Sequence, residues 1–290
     1  METKDFIAII AAFLIGILLI ACDPMPRQQT GYKDSAKWGK VITQDVDIEE
    51  CNAIKVFSCA DVVFEQGEEF KVQIEGNEKA LAKYAFDVEE EETDGQTIKW
   101  LVSTAGKLYD YTTPSIRIRV TAPTLLSIEL NGSGDFDAKL PVKFDNNLLI
   151  LNNGSGDIDI RDLECEELNV HILGSGDTKI NNLVCSLIDT RISGSGDLTV
   201  KNCESATDAN LDATGSGDID GFFKAQNILA SALGSGDIEI KVDCDEITLR
   251  SEGSSDVEVE GHTKVLKRSK RALGDTTTKH LHADNTEWIE

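Results

Sequence analysis

The amino-acid sequence predicts an all-β protein whose second half is a parallel β-solenoid with coils of about 20 residues. Three observations lead to this prediction. The four-residue motif Gly-Ser-Gly-Asp recurs at nearly constant spacing, apolar and polar residues alternate on both sides of it, and the 290 residues include 23 Gly but only five Pro. Alternation with a period of two is typical of strands with one buried face, and the glycines indicate repeated turns.

The motif defines the coil length. Complete copies begin at residues 132, 154, 174, 194, 215 and 234. A degenerate copy at Gly253 and a bare Gly-Asp at Gly274 follow them, and successive copies are 19 to 22 residues apart. Because equivalent positions recur once per coil, each coil is expected to lie parallel on the previous one, so that like residues form columns. An antiparallel meander would not require one invariant corner. The sequence therefore predicts a solenoid over residues 126–260.

The residues of the motif suit a sharp corner. Gly adopts positive φ readily and allows stacked backbones to approach closely. Ser and Asp can accept hydrogen bonds from the backbone N–H groups of the same turn, as in Asx-turns. We therefore expect Gly-Ser-Gly-Asp to form the corner between two strand arms.

The beginning of the chain has the pattern of an export signal. Residues Phe6 to Ala21 form an uncharged apolar run of 16 and are followed directly by Cys22, a run that is too short for an ordinary membrane span. The sequence Leu-Ile-Ala-Cys resembles the lipobox of bacterial lipoproteins, in which the cysteine thiol receives the lipid. We predict a signal peptide over 1–21, lipidation at Cys22 and a flexible tether over 22–40; a plain signal peptide or a short anchor is the alternative.

Two further segments flank the repeats. Residues 41–125 are rich in strand patterns but lack the motif, so they form either an N-terminal β lobe, which we favour, or irregular first coils of the solenoid. Residues 261–290 are predicted to form a C-terminal cap, because Arg268 and Lys270 stand where apolar residues are expected before Gly274.

The segment from Phe57 to Asp135 resembles the bacterial family described as putative auto-transporter adhesin, head GIN domain. The resemblance is carried by Ala60-Asp61-Val62, Gln66-Gly67, Ile116-Arg117-Ile118, Ala122-Pro123-Thr124-Leu125 and the Gly-Ser-Gly-Asp series, and it extends over about residues 50–270. It implies a right-handed β-helix and a cell-envelope setting, often as a lipoprotein. The resemblance brings no catalytic residues.

The charge balance limits the partners. The formal net charge of −24 argues against nucleic acid, because phosphate binding needs clustered Lys and Arg. Anionic membrane surfaces are disfavoured for the same reason, while divalent cations and basic partners are compatible with an acidic surface. The expected contact with the membrane is the N-terminal lipid, and the protein is expected on the outer-membrane or periplasmic face of the envelope.

The motif aspartates form the main candidate site. If the coils stack, the carboxylates form one column; it comprises Asp135, Asp157, Asp177, Asp197, Asp218, Asp237 and Asp256. Carboxylates about 5 Å apart repel by only about 1 kcal/mol in water, so turn capping and solvation suffice, and this structural role is favoured. A line of Ca²⁺ ions is the alternative, since hard cations prefer oxygen ligands, but one ligand per coil is sparse. No cofactor is expected.

The aromatic residues gather in the front half, where they form a possible ligand patch; they are Tyr84, Trp100, Tyr109 and Tyr111. Core packing is the more common role of such residues. His280 and His282 alternate and so can share a face, but the sequence shows no third metal ligand, so a surface role is expected for them and for His171 and His262.

Four cysteines fall at nearly the same corner of successive coils, 9 to 11 residues after their motifs; they are Cys165, Cys185, Cys203 and Cys244. An exported protein can form disulfides, but parallel in-register strands rarely offer the required dihedral angle, so a partly reduced core column is favoured. Cys51 and Cys59 are a possible local pair.

Two classes of function remain. The favoured one is a non-catalytic envelope lipoprotein that acts as an adhesion, binding or scaffold module and presents a rigid solenoid to a polysaccharide or an envelope protein. The alternative is a polysaccharide lyase or glycosidase, which would need loop insertions to shape a cleft and a pair of carboxylates or a basic residue. The repeat spacing varies by only three residues, which leaves little room for such a cleft. A Ca²⁺-binding structural protein is a further alternative.

Overall fold

A computed structural model of the chain describes residues 38–93, 95–105, 114–252, 254–269 and 276–289. Of these described residues 68% are in strands and almost none are helical, and they form a β-solenoid of about 8 turns with coils about 20 residues apart. The predicted all-β solenoid is therefore confirmed. The proposed signal peptide, Cys22, most of the tether, Tyr109 and Tyr111 lie outside the described residues.

The described residues contain twenty strands and one short helix. The front segment, residues 41–125, contains β1 (Val41–Val46), β2 (Ala53–Val56), β3 (Asp61–Gln66), β4 (Lys71–Asn77), α1 (Glu78–Leu81), β5 (Tyr84–Thr93), β6 (Gln96–Ala105) and β7 (Arg117–Ala122). The repeats contain β8 (Ser127–Leu130), β9 (Phe136–Ala138), β10 (Val142–Lys143), β11 (Leu148–Asn152), β12 (Ile158–Glu164), β13 (Glu167–Ile172), β14 (Thr178–Val184), β15 (Leu187–Ile192), β16 (Leu198–Ala213), β17 (Ile219–Ala232), β18 (Ile238–Ser251), β19 (Val257–Ser269) and β20 (Thr276–Ile289).

The repeated coils stack in parallel and in register. Ile150 of β11 pairs with Ile128 of β8 on one side and with Val170 of β13 on the other. The same pattern continues along the chain to β19 and β20. Because side chains alternate across a strand, this register brings one apolar face of every coil to the interior, where Ile150, Leu168 and Ile188 are fully buried.

The corners need glycine because of backbone contact. A Cβ atom built on Gly176 would lie 2.0 Å from the carbonyl oxygen of Gly156 in the neighbouring coil, and Gly156 has the same relation to Gly134 at 1.9 Å. Positive φ, the other expectation for these glycines, is wrong for the corners, because among the described residues it occurs at Gly39, Gly95 and Gly261. Close approach between coils is therefore the reason for glycine at the corner.

In the front segment the order of the coils differs from the order of the chain. Strands β2 and β3 pair in parallel with β8 and β9 on one side and with β6 and β7 on the other. Residues 53–66 thus form a coil between a layer built by later residues and the first repeat. Antiparallel strands complete this end, with β4 on β7, β1 on β4 and β5 on β6, and the core of the front segment is continuous with that of the repeats.

The last strand lies on the solenoid as another coil. β20 pairs in parallel with β19, with His282 beside His262 and Ala283 beside Thr263. Its side chains are more exposed than those of the central coils, and Trp288 is 59% exposed. Leu281 and Ala283 are the half-buried residues of this strand that pack against the core.

Candidate functional site

The motif aspartates form a ladder of hydrogen bonds along one corner. The backbone N–H of Asp177 donates to Oδ1 of Asp157 at 3.1 Å, and the N–H of Asp197 donates to Oδ1 of Asp177 at 3.0 Å. Further links join Asp61 to Asp135, Asp135 to Asp157, Asp197 to Asp218, Asp218 to Asp237 and Asp237 to Asp256, at 2.7 to 3.3 Å.

This ladder gives the aspartates a role between coils. The expectation of Asx-turns within one corner is replaced by bonds that run from one coil to the next. At the corner these carboxylates accept a hydrogen bond from a backbone N–H that is not bonded within the β-sheet. These hydrogen bonds align neighbouring coils. The binding of Ca²⁺ along this column remains a prediction.

The aromatic residues of the front segment do not form a joint patch in the described structure. Trp100 is buried, its Nε1 donates to Glu91 at 3.3 Å, and it pairs with Glu89 on β5. Tyr84 pairs with Ala105, which is five positions from Trp100 on β6, so the backbone positions of Tyr84 and Trp100 lie about 17 Å apart along the hairpin. Trp100 therefore serves the core.

A buried ion pair in the front segment was missed by the sequence analysis. The Lys55 ammonium lies 3.2 Å from a carboxylate oxygen of Glu129 and 4.3 Å from the centre of the Trp100 ring, and Asn131 donates to the same carboxylate at 2.9 Å. Both charged side chains are almost fully buried. Local sequence gave no signal for this pair, because its burial depends on β2 lying between β6 and β8.

The six described cysteines are free thiols. Burial raises the pKa of Cys165 to about 12 and that of Cys244 to about 11. Cys185 and Cys203 are hydrogen-bonded to each other, and this bond and burial hold the pKa of the Cys185 thiol above its ordinary value. The same hydrogen bond holds the pKa of the Cys203 thiol below its ordinary value. Cys165, Cys185 and Cys244 are protonated at neutral pH, and the four buried cysteines pack as small core residues.

Cys51 and Cys59 have separate partners. Burial raises the pKa of Cys51 to about 11, and its thiol donates to the Glu49 carbonyl at 3.3 Å. The Cys59 sulfur lies 3.6 Å from the Tyr84 hydroxyl. The two cysteines therefore do not form a bond in this structure.

The histidines are arranged differently from the sequence expectation. The stacked pair is His262 with His282, whose ring centroids are 5.5 Å apart, while the side chain of His280 is exposed. Parallel pairing of β19 and β20 causes this arrangement. The sequence signal existed, since His262 and His282 are 20 residues apart, which is one coil.

Strands β13, β15 and β16 present polar side chains to the solvent on one face of the solenoid. Two adjacent columns of this face make up what we name the lateral polar platform, which consists of Asn169, Asp189, Asn210, His171, Arg191 and Asp212. The register stacks Asn169, Asp189 and Asn210 in one column and His171, Arg191 and Asp212 in the other.

The charges of the platform interact. Arg191 lies 3.8 Å from a carboxylate oxygen of Asp212. Burial, followed by the nearby Asp212 carboxylate, raises the pKa of Asp189, while burial and the Arg191 charge lower the pKa of His171, which is therefore neutral at neutral pH. The platform thus offers amide, carboxylate, imidazole and guanidinium groups in a fixed array, which suits hydrogen bonding to an extended ligand.

A shallow depression lies beside the cysteine corner. It has a volume of about 470 Å³, opens broadly to solvent and is lined by Glu164, Glu166, Glu167, Ser186 and Thr207 among others.

The helix in the described part of the chain is one turn long, and nothing there is helical and apolar over the length needed to cross a membrane.

The family model described as putative auto-transporter adhesin, head GIN domain, matches residues 50–241. The chain belongs to this family, which is of an adhesin type and points to a cell-surface or envelope protein. No curated protein matches the sequence.

One solved structure shares the fold, and a second is similar to a lesser degree. A putative adhesin from Parabacteroides distasonis has 18% identity and a TM-score of 0.58, and the match covers 87% of this chain and 98% of that one. A putative adhesin from Bacteroides fragilis has 23% identity and a TM-score of 0.49, with 86% and 97% of the two chains covered.

Proposed function

We propose that the protein is a non-catalytic adhesion module of the cell envelope that binds an extended polysaccharide along the lateral polar platform. The observation that carries this proposal is the constant register of the coils. In the three coils of β13, β15 and β16, equivalent strand positions lie side by side, so an extended ligand would meet two polar side chains in each of these coils. The adhesin-type family supports a binding role.

The charge distribution favours a neutral glycan over an anionic one. The platform holds Asp189 and Asp212 beside a single guanidinium, and the whole chain has a net charge of −24. Neutral sugars can use the amides of Asn169 and Asn210 as donors and acceptors without electrostatic repulsion. A basic envelope protein is the other partner compatible with this charge, and it would contact more of the acidic surface.

Binding of the full chain to a panel of neutral and anionic glycans tests the proposal. We expect saturable binding to a neutral glycan that weakens at least about 10-fold in the triple variant Asn169→Ala, Asp189→Ala and Asn210→Ala, since each lost hydrogen bond contributes about 1 kcal/mol. Asp159→Ala with Thr199→Ala, on another face of the solenoid, is the matched control. Equal binding by both variants would exclude the platform, and release of reducing ends from any glycan would contradict the non-catalytic assignment.

We further propose that Cys22 carries the lipid that holds the module at the membrane. Support comes from the apolar run that ends immediately before Cys22 and from the adhesin-type family. In cells fed radiolabelled palmitate, the chain should take up label and fractionate with membranes, whereas Cys22→Ser should remain unlabelled. Equal labelling of both chains would refute lipidation at this position.

A further inference from the structure

Two histidines and an aspartate from the last two coils form a compact cluster. His262 of β19 and His282 of β20 are directly paired, and their rings stack with 5.5 Å between centroids and 24° between planes. Asp284 follows His282 by two residues and therefore projects from the same face of β20. One ligand atom from each of the three residues can be chosen so that all lie within 4.8 Å of one another.

The distances fit a small metal ion. Oδ1 of Asp284 lies 3.7 Å from Nε2 of His262 and 3.6 Å from Nε2 of His282. In a tetrahedral zinc site with bonds of about 2.0–2.1 Å, neighbouring ligand atoms are about 3.4 Å apart. The two distances from Asp284 therefore exceed this spacing by only a few tenths of an ångström, and the chosen ligand atoms of the two imidazoles lie within 4.8 Å of each other.

The surrounding charges orient the ligands. Oδ1 of Asp243, one coil before His262, lies 4.0 Å from Nδ1 of His262. After an approach of about 1 Å this carboxylate would accept a hydrogen bond from Nδ1–H, which leaves the Nε2 lone pair free for a metal. The nearby Lys264 ammonium lies 2.6 Å from a carboxylate oxygen of Asp245, so its closest ion pair is with a carboxylate outside the cluster.

We propose that His262, His282 and Asp284 bind a transition-metal dication of the Zn²⁺ class, with Asp243 as a positioning residue for His262. Two imidazoles and one carboxylate favour such ions over Ca²⁺, which prefers six or more oxygen ligands. The three side chains are 45%, 76% and 55% exposed, so water has access to the fourth position. The site lies on the last two coils and is separate from the lateral polar platform.

Metal binding would fasten the terminal coil. The ligands come from β19 and β20, so one ion would add a link between two coils that already share backbone hydrogen bonds and the contacts of Arg268 with Thr276 and the Trp288 ring. A ligand that binds the folded state alone stabilises it by mass action. The ion would therefore act as a clamp at the end of the solenoid where the apolar columns end.

Calorimetric titration of the untagged full chain in detergent with Zn²⁺ tests the proposal. We expect one saturable equivalent per chain and a higher Tm in Zn²⁺ than in EDTA. His262→Ala and Asp284→Asn should each weaken binding at least about 100-fold, and Asp243→Asn, which alters a residue behind the ligand, about 10-fold. His280→Ala, an exposed histidine on the same strand, should bind like the unaltered chain.

Two measurements keep the result unambiguous. Far-UV circular dichroism of each variant checks that the fold is retained, and Co²⁺ in place of Zn²⁺ should give the visible absorption of a tetrahedral site that His282→Ala abolishes. Failure of the unaltered chain to bind Zn²⁺, or equal affinities of His262→Ala and His280→Ala, would overturn the proposal.

Discussion

The repeated coils and the front segment reach the same solenoid by different means. In residues 126–260 each coil is laid on the one before it, and a single corner motif positions the backbone. In residues 41–125 the coil of β2 and β3 lies between the first repeat and a layer formed by β6 and β7, which come later in the chain. Stacking order follows chain order where the sequence repeats and departs from it where the repeat is missing.

The two regions also satisfy their polar groups differently. The repeats use ladders, in which the same side chain of every coil bonds to the next coil. The front segment uses single interactions, of which the Lys55–Glu129 pair is the most buried. A ladder spreads its contribution over many similar contacts, whereas a buried ion pair concentrates it at one place.

The largest expected effect concerns the corner glycines. Gly176→Ala should destabilise the fold by about 4 kcal/mol or more, because the new Cβ would lie 2.0 Å from a backbone oxygen that cannot move without separating two coils. Gly95→Ala is the matched change in the front segment, where φ is +79° and nothing lies within 4 Å, and it should cost only about 1 kcal/mol. Urea unfolding of both variants measures the difference; similar losses would show that close approach is not what selects glycine.

Removal of the buried lysine should have the next largest effect. Lys55→Met leaves the Glu129 carboxylate buried without its cation, and we expect a loss of about 3 kcal/mol. Adding Glu129→Leu should restore most of that stability. The exposed pair of Lys71 and Asp45 is the comparison, and Lys71→Met should cost less than about 1 kcal/mol. If Lys55→Met and the double variant Lys55→Met with Glu129→Leu unfold at the same urea concentration, the unpaired Glu129 carboxylate is not the cause of the lost stability.

A smaller effect is expected in the aspartate ladder. Asp177→Ala removes the acceptor for the Asp197 N–H and should cost about 1–2 kcal/mol, whereas Asp177→Asn keeps an oxygen there and should cost less than half as much. Thermal unfolding of both variants is the measurement.

The same scan with Ca²⁺ tests the column as a cation site: an unchanged Tm supports the purely structural role, and a Tm that rises with Ca²⁺ in the unaltered chain but not in Asp177→Asn contradicts it.

The smallest effect is a dependence on pH. Burial, together with the Asp218 and Asp197 carboxylates, raises the pKa of Asp220 above its ordinary value of 3.8. Between the pKa of Asp220 in the unfolded chain and its higher pKa in the folded chain, the folded chain binds more protons. The free energy of unfolding therefore falls as pH rises through that window and stays lower at neutral pH. Asp220→Asn should raise the Tm at pH 7.5 and leave it nearly unchanged at pH 3.

Asp159→Asn is the control for this prediction. Asp159 occupies the same column, with Lys179 beside it in one neighbouring coil and Asp137 in the other, so a lysine offsets the repulsion by the adjacent carboxylate. A gain in Tm from Asp159→Asn equal to that from Asp220→Asn would show that the net charge of the chain, and not the local carboxylates, sets the pH dependence.

Much of the fold was accessible from the sequence because the repeat reports long-range contacts. A spacing of 19 to 22 residues indicates which residues become neighbours in adjacent coils, so the aspartate column was predictable. The four cysteines do not form one column, because Cys203 pairs with Leu183 and Cys244 with Ala225. The same rule applied to His262 and His282 would have identified the stacked pair. His280 and His282, by contrast, are two positions apart within one strand, where side chains share a face but do not stack.

The sequence by itself determined the coil length, the inward columns and the stacking of like residues, since a constant repeat leaves one parallel register that buries every apolar face. Only the tertiary structure decided the layer order of the front segment, the burial of Lys55 with Glu129 and the approach of Asp284 to two histidines. These features depend on which strand lies beside which when no repeat fixes the distance along the chain, and on side-chain directions that the pattern of residue types does not encode.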